Sequence, residues 1–148
     1  MRQRRLPLRL AGLFLLPLLL ARAASAAPAE VKGAAILDHA CGKVSVKQMG
    51  LVHAGKLDES VKLGTKEMQE EWKAMPAEDR EMMSGMMKDM SQSEADYTAA
   101  IKAGGLLVVD GAAATLTVKK EIKDANGSST ETMTQKFLID PTGCWISH

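Results

Sequence analysis

Apolar residues change their spacing partway along this chain. Between residues 43 and 90 they recur at the three- and four-residue intervals of helices, and from Leu106 they alternate with polar residues. The stretch from Lys43 to Ala54 puts Val44, Met49, Leu51 and Val52 on one broad side, with Gly55 placed to end the helix. Leu57 to Val61 predicts a short second helix, with Asp58 as N-cap and Gly64 as stop. Thr65 caps a third segment running through Met68 and Trp72. Pro76 opens a fourth, from Ala77 to about Met90, whose first turn carries Glu78, Asp79 and Glu81. Ser93 with Asp96 three residues on resembles a capping box, and Ala95 to Lys102 reads as a short helix or as a strand.

The second half has a period of two. Leu106 to Val109 is an apolar strand and Asp110-Gly111 a hairpin turn. Ala114, Leu116 and Val118 then point one way, and Thr115, Thr117 and Lys119 the other. Asn126-Gly127 marks a second turn. Met133, Gln135, Phe137 and Ile139 share one face, Pro141-Thr142-Gly143 turns again, and Cys144 to Ser147 closes the chain's regular structure. Three turns between four runs predict an antiparallel meander. The fold class is therefore α+β, with N-terminal helices packed on about four strands.

The start of the chain lies outside both patterns. Arg2, Arg4, Arg5 and Arg9 precede the apolar run Leu10 to Leu20, and Ala24-Ser25-Ala26 follows with the small residues of a cleavage site. Basic, then apolar, then A-x-A is the order of a secretory signal peptide. The apolar run is short for a hydrocarbon layer of roughly 30 Å. The expected division is a signal at 1–26 and one domain at 27–148, bacterial and periplasmic or secreted, with no membrane attachment after cleavage.

Cleavage also reverses the charge. The whole chain carries +1, but the mature part holds 14 Lys and Arg against 18 Asp and Glu, a net −4. No basic patch suits a phosphate backbone, so nucleic acid is not expected as a partner. Cys41 and Cys144 are the only cysteines. In an oxidising compartment an even count predicts one disulfide, and two separate buried thiols are the alternative.

The run His53-Ala54-Gly55-Lys56-Leu57-Asp58-Glu59-Ser60-Val61-Lys62-Leu63 and the closing Gly143-Cys144-Trp145-Ile146 give the chain a likeness to a known family. They resemble the helix–turn–acid-capped helix and terminal aromatic of secreted nuclear-transport-factor-like domains. This is the cone-shaped fold of ketosteroid isomerase and the SnoaL cyclases. The resemblance implies helices closing one side of a curved sheet around a pocket. One fold hosts many functions, so the site has to decide.

The expected pocket lining is Leu116, Val118, Met133, Gln135, Phe137 and Ile139, mostly apolar with one or two polar groups. Catalytic members of the family use a carboxylate base and a Tyr-centred oxyanion hole, and this chain has a single tyrosine, Tyr97. Asp38 and His39 are adjacent and could form an acid–base pair, but a helix start, with an N-cap and a solvated His, is the simpler reading. A carboxylate within hydrogen-bond reach of a His or Tyr inside the cavity is the arrangement that points to an enzyme.

Methionine is the remaining peculiarity. Met82, Met86 and Met90 form an i, i+4, i+8 stripe, with Met83 and Met87 beside it. Thioethers at that spacing suit Cu(I). With only four aromatics in the mature chain, the same stripe also serves as adaptable core filling and is then expected to face the interior. The leading expectation is a non-catalytic module, with no cofactor, for a small apolar ligand or peptide or for a homodimer through the sheet. An isomerase, cyclase or hydrolase of the same fold and a Cu(I)-binding protein are the alternatives.

Overall fold

The computed structural model describes residues 26–124 and 127–148, with the backbone alone for 121–124. The signal segment and Asn126 of the second turn lie outside the described residues, apart from Ala26 itself. β1 (Ala29–Lys32) leads into a 3-10 turn at Gly33–Asp38 and then α1 (Ala40–His53). α2 (Leu57–Val61), α3 (Lys66–Ala74), α4 (Ala77–Met90) and α5 (Glu94–Gly104) follow. β2 (Leu106–Asp110), β3 (Ala113–Asp124), β4 (Gly127–Asp140) and β5 (Gly143–Ser147) complete the chain.

The five strands form one antiparallel sheet in the order β1-β2-β3-β4-β5. The fold is α+β, with one strand more than the sequence predicts and with that strand ahead of the helices. β1 escapes a periodicity argument because only Val31 of its four residues is half-buried. It is defined by its partner, with Val31 opposite Leu107 in β2. The ambiguous stretch from Ala95 to Lys102 is helical, inside α5, and Ser93 Oγ accepts from Asp96 N at its start. Asp58 is not the cap of α2. Lys56 holds that position, and Asp58 lies in the first turn.

Strand parity follows the alternation in the sequence. Ala114, Leu116, Val118 and Phe137 face inward and are buried. They pack with Ile36 of the 3-10 turn, Tyr97 and Ile101 of α5, and Leu107 of β2. A Cβ on Gly42 would lie 1.8 Å from the Ile36 carbonyl oxygen, so α1 crosses the 3-10 turn in backbone contact.

Cys41 and Cys144 are joined in a disulfide with Cα atoms 5.1 Å apart. It ties the first turn of α1 to β5, and both residues are buried. The free edge of β5 is covered as well. Thr65 N donates to Ile146 O at 2.9 Å, and Ile146 N donates to Leu63 O at 3.0 Å. The link between α2 and α3 thus pairs in parallel with β5 and leaves little edge for another chain to extend.

Candidate functional site

The concavity most suited to a ligand is a 260 Å³ cavity between β5 and the helices α1 to α4. Its floor is Ile146 of β5 with Gly64 of the edge-covering link. α2 contributes Leu57, Ser60 and Val61. α3 contributes Met68, Glu71 and Trp72, and Met75 follows at its end. α4 adds Met83 and Met87, α1 adds Gln48, and His148 stands beside Glu71.

The helical spacing of the wall is simple. Met68, Trp72 and Met75 fall at i, i+4 and i+7, one face of α3, while Lys66, Glu67, Glu70 and Lys73 are exposed. Asp58 gathers the three helices. Its Oδ1 accepts from Trp72 Nε1 at 2.7 Å and lies 4.0 Å from Arg80 Nη1 of α4. Neither α3 nor α4 contains a fully buried residue, so the roof of the cavity is held by fewer contacts than its floor.

A polar chain runs from the core to this wall. The Tyr97 hydroxyl lies 2.8 Å from Ser45 Oγ, and both residues are buried. Ser45 Oγ donates to Gln135 Oε1, and Gln135 Nε2 donates to Gln48 Oε1. Burial pushes the Tyr97 phenol above its usual pKa, and the Ser45 hydrogen bond pulls in the opposite direction.

The expected lining is corrected by this arrangement. Leu116, Val118 and Phe137 pack as core, Met133 and Ile139 are half-buried against that core, and Gln135 belongs to the polar chain. None of the six lines this cavity. An inward strand position becomes core here because α5 and the 3-10 turn cover that part of the sheet. The open volume sits further along, over β5. The expected limit of one or two polar groups is exceeded too, since Gln48, Ser60, Glu71 and His148 all contribute.

The methionine stripe is also corrected. Met82, Met86 and Met90 are 64%, 54% and 79% exposed, so they do not fill the core. α4 lies on the outside of the molecule and turns its neighbouring stripe, Met83 and Met87, toward the cavity. Asp38 and His39 do not reach the site. His39 is the N-cap of α1, its Nδ1 accepting from Cys41 N at 3.2 Å, and Asp38 is exposed.

Sequence reasoning missed one pair altogether. His148 Nε2 lies 3.1 Å from Glu71 Oε2 at the cavity wall, with side chains 65% and 59% exposed. This is a carboxylate–imidazole contact of the kind that favours acid–base chemistry, although it sits at the mouth rather than in the apolar interior. Seventy-seven residues separate the two, so no local motif announces them. Among the described residues no three His, Cys, Asp or Glu side chains cluster as a metal site.

No family model, curated protein or solved structure matches the chain.

Proposed function

We propose that this is an exported, nuclear-transport-factor-like module that binds a small apolar molecule in the cavity between β5 and α1–α4. The observation that carries the reading is convergence. Five helical and strand elements bring thioethers, an indole and aliphatic side chains around one 260 Å³ space, with Gln48, Ser60, Glu71 and His148 the polar side chains among them. Ligand sites have this mostly apolar character, and the volume lies just below their usual range of about 300–1,000 Å³, which suits a small ligand. Methionine walls adapt to ligand shape at small cost. The buried disulfide suits an oxidising compartment and supports export.

Trp72 supplies the test. Titration with small apolar compounds should change its emission, and amide chemical shifts should move along α2, α3 and β5. Val61→Phe, which fills the cavity, should abolish both responses. Shifts confined to the outer sheet face, or binding untouched by Val61→Phe, would rule this site out.

The His148–Glu71 pair favours a second reading, a small-molecule isomerase or hydrolase. Glu71 would orient the imidazole and His148 would move a proton of a substrate held in the cavity. Turnover of a bound ester, or exchange of its α-hydrogens in heavy water, lost in His148→Gln, would establish it. Binding without either reaction leaves the module non-catalytic.

A further inference from the structure

We infer that the cavity takes a neutral molecule whose apolar body carries one carbonyl oxygen, such as a ketone, an ester or a lactone. This rests on the cavity reading above and follows from the direction of one hydrogen-bond chain. Ser45 Oγ gives its single proton to Gln135 Oε1. The Tyr97 hydroxyl is therefore the donor to Ser45. With its oxygen turned to Ser45, Gln135 presents its amide nitrogen to Gln48 Oε1. Gln48 lines the cavity with its oxygen already engaged, and what remains to it is a pair of N–H donors.

The other donors of the wall are already committed. Ser60 Oγ donates to Leu57 O at 2.9 Å. Trp72 Nε1 donates to Asp58. Glu71 and His148 face each other. Among the described residues, no hydrogen bond is made by Gln48 Nε2. Gln48 is half-buried, so this donor is open to water in the empty cavity, and an apolar ligand that displaces the water replaces its hydrogen bond only by bringing an acceptor.

The charges then choose among acceptors. Among the described residues no lysine or arginine lines the cavity, and its one imidazole is shared with a carboxylate. An anionic ligand would meet Glu71 with no cation of its own, whereas a neutral carbonyl meets no such penalty.

The experiment uses the signal-free protein carrying Trp145→Phe, so that Trp72 is its only indole. Three probes match in size: methyl heptanoate, octanoate (the conjugate base of its isomer octanoic acid), and decane. Methyl heptanoate should bind, with octanoate at least about tenfold weaker. Gln48→Met removes the donor at nearly the same side-chain length. Gln48→Glu removes it while keeping an acceptor for Gln135 Nε2. Both variants, checked for an unchanged thermal midpoint, should weaken the ester by about tenfold and leave decane unaffected. Equal losses for ester and decane, an ester affinity indifferent to both variants, or octanoate binding as tightly as its isomer would each overturn the carbonyl assignment while the cavity reading stands. Failure of all three probes to alter Trp72 emission would overturn the cavity reading, and the assignment with it.

Discussion

The hydroxyl of Tyr97 sits 2.8 Å from Ser45 Oγ, two buried groups on α5 and α1 that meet 52 residues apart in sequence. The contact fixes two helices against each other and, through Gln135, against β4. A phenol buried in this way needs a partner, because an unpaired buried hydroxyl costs about 1–3 kcal/mol. Ser45 is that partner, and it also begins the polar chain that reaches the cavity. Core packing and site polarity are therefore set by the same atoms.

Burial raises the pKa of Tyr97 above the ordinary 10.0, with the Ser45 bond opposing it. Above that ordinary value the unfolded chain releases the phenolic proton while the folded chain retains it. Stability contributed by this group is thus complete below about pH 10 and declines as pH rises toward the folded pKa. Denaturant unfolding between about pH 9 and 11.5 should show a steeper alkaline decline for the wild type than for Tyr97→Phe. Parallel profiles would mean that the phenol titrates alike in both states.

The disulfide closes a loop spanning 103 residues. Removing it restores the conformational freedom of almost the whole domain to the unfolded state. The chain-entropy model assigns loops of this length about 4–5 kcal/mol, and measured losses fall at roughly 2–5 kcal/mol. Cys41→Ala with Cys144→Ala should lower the urea midpoint accordingly. A free-thiol assay on the oxidised, denatured wild type should find none, and two titratable thiols would contradict the pairing.

Strand parity was legible because it depends on neighbours. Leu116, Val118 and Phe137 alternate with polar residues, and all three are buried. Parity says which way a side chain points, but not what covers it. Coverage here depends on Ile36, Tyr97 and Ile101, which arrive from elsewhere in the chain. The cavity was only half legible for the same reason. Met68, Trp72 and Met75 mark a helix face, yet Gln48 gains its role from Gln135, 87 residues away. Glu71 meets His148 at a similar remove. β1 was invisible because its pairing with β2, and not its composition, makes it a strand.

Gly42 is a position where the fold leaves no room. An added Cβ would meet the Ile36 backbone oxygen at 1.8 Å, and backbone does not yield as a flexible side-chain tip does. Gly42→Ala should therefore destabilise the protein by about 3 kcal/mol, despite alanine's better helix propensity. Gly85, in exposed α4 with nothing near its Cβ position, is the control. Gly85→Ala should stabilise by up to about 1 kcal/mol. Equal effects of the two substitutions in urea unfolding would show that the contact between α1 and the 3-10 turn is looser than its geometry indicates.

The methionines of α4 divide by exposure, and oxidation should read that division. Met82, Met86 and Met90 are 64%, 54% and 79% exposed, whereas Met83 and Met87 are 37% and 38% exposed and line the cavity. Met68 is only part-buried in the wall of α3 and packs toward the core. Peroxide transfers an oxygen atom to a thioether and leaves water, so access governs the rate. Peptide mapping after brief peroxide exposure should find sulfoxide first at Met82, Met86 and Met90, then at Met83 and Met87, and last at Met68. The first group should leave Trp72 emission unchanged, because those side chains do not line the cavity. Sulfoxide at Met83 and Met87 puts a polar group into an apolar wall and should weaken apolar-ligand binding. Met83→Leu with Met87→Leu should make binding resistant to peroxide while Met82, Met86 and Met90 still oxidise. Loss of binding in step with the outer three alone would show that the exposed stripe, and not the cavity wall, is where the ligand is held.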